Sequence, residues 1–129
     1  MMKIVVSFVA VLMFSFLVSC TKDYYVKPDA PSQNVSFKND VIPIFNDNCV
    51  SCHNGSTSPN LTPDKAYGEL VSLPNLVNPG NPDGSELYQR VMGQGSMMPP
   101  GGMMPPGGMM SHNKTDLIYQ WIKEGALNN

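Results

Sequence analysis

Cys49-Val50-Ser51-Cys52-His53 is the stretch from which the rest of the chain is read. Its three reactive side chains fall at i, i+3 and i+4, which on a helical turn is one face. Two thiols a turn apart can add to vinyl groups on neighbouring edges of a porphyrin. The imidazole beside the second thiol then reaches over the ring plane towards an iron, and the C-x-x-C-H string reads as covalent attachment of one haem c. A neutral imidazole binds iron through one nitrogen, and the other is expected to donate to a backbone carbonyl that fixes the ring. Rival readings of the same string are a thioredoxin-like dithiol, a structural disulfide and a zinc site. The dithiol belongs on a βαβ scaffold, and no strand pattern flanks this one. A disulfide suits an exported protein. Zinc needs a fourth ligand, and the chain offers one other histidine, His112, and one other cysteine, Cys20.

Outward from the motif, the apolar pattern is helical wherever it is regular. Asp40 can cap a helix in which Val41, Ile44 and Phe45 recur at helical spacing, with Pro43 in the first turn, where a missing N–H costs little. Thr62-Pro63-Asp64 is a start signal for a second helix with the stripe Ala66, Tyr67, Leu70 and Val71. Ser85 heads a third, carrying Leu87, Tyr88 and Val91. A fourth begins near Asn113, with Asp116 as the acid of a capping box, the stripe Leu117, Ile118, Trp121 and Ile122, and Gly125 as its stop. No stretch alternates as a strand does, so an all-α fold of four short helices is predicted. Asn78-Pro79-Gly80-Asn81-Pro82-Asp83-Gly84 is a dense turn signal between the second and third helices.

The N-terminus reads as an address. Lys3 precedes the apolar run Ile4 to Val18, which is shorter than the ~18–20 apolar residues of a spanning helix and fits an export signal. Leu17-Val18-Ser19-Cys20 resembles the lipobox of bacterial lipoproteins, in which the chain is cleaved before the cysteine and the cysteine is acylated. Two or three acyl chains, at ~0.8 kcal/mol per buried methylene, hold a soluble domain on a membrane where one would not. An ordinary signal peptide with a cysteine at its end is the rival. The resulting organisation is a lipoprotein signal peptide over residues 1–19, the lipidated Cys20 with a flexible tether over 20–35, and one domain over 36–129.

Composition bounds the rest. A chain of 129 residues fits one domain by the prior of ~100–200 residues each. A formal net charge of −2, with no run of Lys or Arg, argues against a nucleic-acid partner. Twelve Pro, 11 Gly and 10 Met beside few charges describe a loop-rich small domain that needs something beyond its own core. No Ser-His-Asp set, paired-carboxylate motif or phosphate-binding glycine loop occurs.

The oddest segment is a tandem duplication: Met97-Met98-Pro99-Pro100-Gly101-Gly102 is repeated as Met103-Met104-Pro105-Pro106-Gly107-Gly108, and Met109-Met110 begins a third copy. With it the chain from Phe37 to Asn129 resembles a small monohaem cytochrome c domain of bacterial exported proteins. The strings carrying the resemblance are Phe37…Asp40-Val41-Ile42-Pro43-Ile44-Phe45 running into the haem motif, Val77-Asn78-Pro79-Gly80-Asn81-Pro82…Ser85-Glu86-Leu87-Tyr88, the Met-Pro-Pro loop, and Trp121-Ile122-Lys123-Glu124-Gly125-Ala126. The resemblance implies a cytochrome c-like fold, His53 as proximal iron ligand and a methionine of the Met-Pro-Pro loop as distal ligand. The duplication leaves two candidates, Met104, favoured by its separation from Trp121, and Met98. His112 is a third, giving a bis-imidazole iron.

The function implied is electron transfer rather than catalysis. A thioether ligand favours ferrous iron and raises the potential. The expected partners are a redox donor and acceptor protein, together with the membrane that holds the lipid at the periplasmic or cell-surface side. Two other classes stay open: a haem enzyme or sensor with an open distal position, working on peroxide or small gases, and a lipoprotein whose Met-rich repeats bind copper(I).

Overall fold

The computed structural model describes residues 34–94 and 109–129, and every regular element among them is a helix. The fold class is all-α. A π-helical turn, α1 (Phe37–Val41), runs directly into α2 (Ile42–Asn48); α3 (Ala66–Ser72), α4 (Glu86–Val91) and α5 (His112–Lys123) follow. No helix of the described residues is long and apolar enough to cross a membrane.

The first helical segment begins earlier than Asp40. Ser36 is the cap: its Oγ accepts from Asn39 N–H at 3.1 Å, while its own N–H donates to Asp40 Oδ2 at 2.7 Å. This is a reciprocal capping box with the acid one position later than usual. Asp40 is therefore the returning partner, because a serine four residues upstream already offers the hydroxyl. Pro43 stands in the first turn of α2, just past the π-helical turn.

Val41, Phe45, Leu70, Ile118, Trp121 and Ile122 form the most deeply buried part of the core. Phe37 ties four elements together, its ring centroid lying 4.9 Å from Trp121, 5.4 Å from Tyr67 and 6.3 Å from Phe45. Such aromatic pairs add about 0.5–1.5 kcal/mol each beyond the area they bury. On α4 the expected stripe Leu87, Tyr88 and Val91 is buried, as are Ile118, Trp121 and Ile122 on α5. The α3 stripe narrows to Ala66 and Leu70, with Tyr67 partly buried against Phe37; Val71, in the last turn of α3, is 42 % exposed.

Three features lock the loops and ends. Ser85, fully buried, does not cap α4 with its side chain; its Oγ accepts from Asn78 N–H at 2.8 Å and donates to Asn81 O at 2.9 Å. Gly80 N–H, from the same loop, donates to Ile122 O at 2.7 Å. α5 closes in a Schellman arrangement, with Gly125 at φ 101°, Gly125 N–H on Ile122 O and Ala126 N–H on Trp121 O. Asn129 then clasps the start of the domain: its backbone O accepts from Lys38 N–H and Ser36 Oγ, its Oδ1 from Phe37 N–H, and its Nδ2 donates to Val35 O. Val35 is buried, and its N–H donates to Glu124 Oε2.

Candidate haem-attachment site

Helical hydrogen bonding outlasts α2. Cys49 and Val50 N–H both donate to Phe45 O, at 2.8 and 3.0 Å, and the chain then breaks at Cys49, whose φ is −126°. One further turn forms at once, with Cys52 N–H on Cys49 O at 3.1 Å and His53 N–H on Cys49 O at 2.9 Å. Cys49, Cys52 and His53 therefore share a single hydrogen-bonded turn at the end of α2, as their spacing predicts.

Residues 53–61 fold back on this turn. Leu61 N–H donates to His53 O at 2.8 Å, and His53 Nδ1 lies 2.9 Å from Pro59 O. A carbonyl oxygen can only accept, so this hydrogen bond places a proton on Nδ1. The neutral imidazole then keeps its lone pair on Nε2, the form that a metal ion binds. His53 is 8 % exposed, and its Nε2 is not one of the polar nitrogens sealed from solvent. The backbone carbonyl expected behind the ring thus belongs to Pro59. Only its kind was readable beforehand, since it depends on how the loop returns.

Both thiols are free, with Cys49 half-buried and Cys52 exposed. Burial pushes the Cys49 thiol up to about 11, and the Lys114 cation pulls weakly the other way. A dithiol redox centre asks for the opposite, a thiolate stabilised at a helix N-terminus or by a strong positive field. Here the first cysteine lies at a helix C-terminus, the negative end of the dipole. Lys114, 3.7 Å from Asp47 Oδ2 and 3.4 Å from Asn48 Oδ1, shares its charge with other groups.

Among the described residues no group of three or more His, Cys, Asp and Glu side chains could hold a metal ion. A haem iron asks this segment for one nitrogen only, because the sulfurs bond the porphyrin rim and not the metal. The donor set therefore fits a haem: two free thiols on one turn, and beside them an imidazole with a fixed proton and a free lone pair.

The other candidates separate. Cys20, Met98 and Met104 lie outside the described residues, as do the signal segment and most of the tether. Of the third Met pair, Met109 is 53 % exposed and Met110 is buried in the core at 6 %. His112 opens α5 at the surface, its carbonyl accepting from Thr115 Oγ1 at 3.0 Å. Trp121 is a core residue whose Nε1 donates to Leu127 O at 2.9 Å. No family model matches the chain, and no match was found among the curated proteins or the solved structures compared with it.

Proposed function

We propose that this chain is a membrane-tethered c-type cytochrome that passes single electrons between protein partners. Cys49 and Cys52 hold the porphyrin rim through thioether bonds, His53 Nε2 is the proximal nitrogen, and Met104 or Met98 is the distal sulfur. The observation that carries the reading is the hydrogen bond from His53 Nδ1 to Pro59 O behind the C-x-x-C-H turn. It fixes the ring's tautomer and orientation and raises the basicity of the nitrogen that faces away.

A bound haem supplies a one-electron couple, which a methionine sulfur poises towards the ferrous form. The chain's own part is to position and to shield. The α2 turn presents the two sulfurs and the imidazole in one register. The helices form a cytochrome c-like arrangement in which the porphyrin completes a small apolar core. Cys20, acylated after export, tethers the domain at the periplasmic or cell-surface side of a bacterial membrane, within reach of its electron donor and acceptor.

The test is expression with haem-attachment machinery, followed by a pyridine haemochrome spectrum and the intact mass of the mature protein. The expected result is one thioether-linked haem on a chain beginning at an acylated Cys20, with low-spin iron and the far-red sulfur-to-iron band in the ferric state. A colourless exported chain overturns the reading. A high-spin, readily ligated iron overturns the electron-carrier part alone.

A further inference from the structure

Asn54-Gly55 is the one Asn-Gly pair of the sequence, and it follows His53 directly. Both residues are exposed, as is Ser56. Asn54 Oδ1 accepts two hydrogen bonds, from Ser56 N–H at 3.2 Å and from Ser56 Oγ at 2.9 Å. The side-chain amide is thereby held by its oxygen over its own backbone, as asparagine is in tight turns. Gly55 stands at φ 104°, a conformation that L side chains rarely adopt, and a Cβ there would lie 3.3 Å from Asn60 Nδ2. The turn therefore asks for glycine, and glycine leaves the backbone nitrogen beside the Asn54 amide unscreened. Among the described residues no group accepts a hydrogen bond from Gly55 N–H. The one Asp-Gly pair, Asp83-Gly84, is built differently: Gly84 N–H donates to Asn81 Oδ1 at 3.1 Å, so its nitrogen is engaged.

We infer that Asn54 is a modification site at which the folded loop promotes its own deamidation, converting the amide beside His53 into a carboxylate. Gly55 N attacks Asn54 Cγ, so the Gly55 N–Cγ bond forms and the Cγ–Nδ2 bond breaks. The Gly55 N–H proton reaches Nδ2 through solvent, and ammonia leaves. Water then opens the five-membered imide at either carbonyl carbon, giving aspartate or isoaspartate; water is the one co-reactant, and nothing is oxidised or reduced. The negative charge of the tetrahedral adduct develops on Oδ1, where both Ser56 donors already point, and donors set in place beforehand stabilise charge that appears during the reaction. The product puts an anion into a stretch, Asn48 to Pro63, that holds no Asp, Glu, Lys or Arg. The chemistry at Asn54 is independent of the haem reading. Its consequence rests on that reading: a carboxylate one residue from the iron ligand favours ferric iron, which carries one more positive charge than ferrous.

The experiment ages the full chain as purified, at neutral pH, and follows Asn54 by peptide mass mapping with an isoaspartate assay. Wild type is compared with Ser56→Ala and with wild type held unfolded in urea. The expected result is conversion at Asn54 at least as fast in the folded chain as in urea, with Asp83-Gly84 and the other asparagines lagging behind it. Ser56→Ala, which removes one donor from Oδ1, is expected to convert about threefold to tenfold more slowly. Faster conversion in urea than in the folded chain means that the loop protects Asn54, and overturns the inference. So does a Ser56→Ala rate equal to wild type. If Ser56→Ala does not fold, the comparison with urea decides alone. A redox titration of haem-loaded Asn54→Asp and Asn54→Ser then reads the consequence. The aspartate variant is expected to shift the ferric-to-ferrous equilibrium roughly twofold to fivefold towards ferric, and the serine variant to leave it in place. An unchanged equilibrium in Asn54→Asp overturns the link to the iron. A chain that takes up no haem fails the proposed function, while the mass readout still judges Asn54 by itself.

Discussion

Residues 53–61 and residues 78–85 are loops of similar composition, each rich in Asn, Pro, Ser and Gly, and they differ in what they hold. In 78–85 the groups are spent inside the loop. Ser85 Oγ bonds two backbone groups, Asn78 Nδ2 donates to Gly84 O, and Asn81 Oδ1 accepts from Gly84 N–H at 3.1 Å. In 53–61 Asn54 Oδ1 likewise accepts within the loop, from Ser56 N–H and Ser56 Oγ, but the Pro59 carbonyl is set against one nitrogen of His53, while Nε2 and the two thiols stay available. The first loop is a fastening. The second holds a reactive side chain by its back and leaves its front for another molecule.

Substitutions can break each half of that contrast separately. The largest effect is expected from Cys49→Ser with Cys52→Ser, which abolishes covalent haem; haem-stained denaturing gels and intact mass would read a complete loss. Next is Ser85→Ala, which removes a fully buried hydroxyl and strands the part-buried Asn78 N–H, and is expected to cost about 1–3 kcal/mol in denaturant unfolding. The haem spectrum of that variant should be unchanged, because the fastening does not touch the His53 turn.

A smaller effect concerns protons on sulfur. Folded Cys49 keeps its proton to about 11, whereas its ordinary value is 9.0. Stability from the neutral thiol is therefore complete below pH 9.0 and is lost as pH rises towards about 11. A haem-free folded fraction should lose stability over that window, and iodoacetamide should modify the exposed Cys52 before Cys49. The haem-loaded form should show neither behaviour, since a thioether sulfur has no proton to release. Burial also raises the Tyr88 hydroxyl, with the Asp116 charge adding to the effect. The smallest effect is expected from Val71→Lys, within about ±0.5 kcal/mol by thermal melting, since Val71 already faces water.

What the sequence made legible follows from how local each signal is. The hydrogen-bonded turn that carries Cys49, Cys52 and His53 depends on a few residues of chain. The buried stripes of α4 and α5 follow from helical periodicity, and Gly125 ends α5 where a left-handed residue is needed. The start of α1 was misplaced because two residues four apart, Ser36 and Asp40, could each supply a cap, and only the hydrogen bonds distinguish them. Val71 was misplaced because periodicity says which residues share a helix face and not how far along the helix its neighbours cover that face. Pro59 as the partner of His53, and Ser56 as the partner of Asn54, depend on contacts that spacing does not encode.

The Asn129 clasp has a mechanical consequence. A pull arriving through the residues ahead of Val35 meets its hydrogen bonds to Glu124 and Asn129 first, and is passed to the last turn of α5. The load path bypasses the turn bearing Cys49, Cys52 and His53, so tension on the N-terminal segment need not disturb the set of those three side chains.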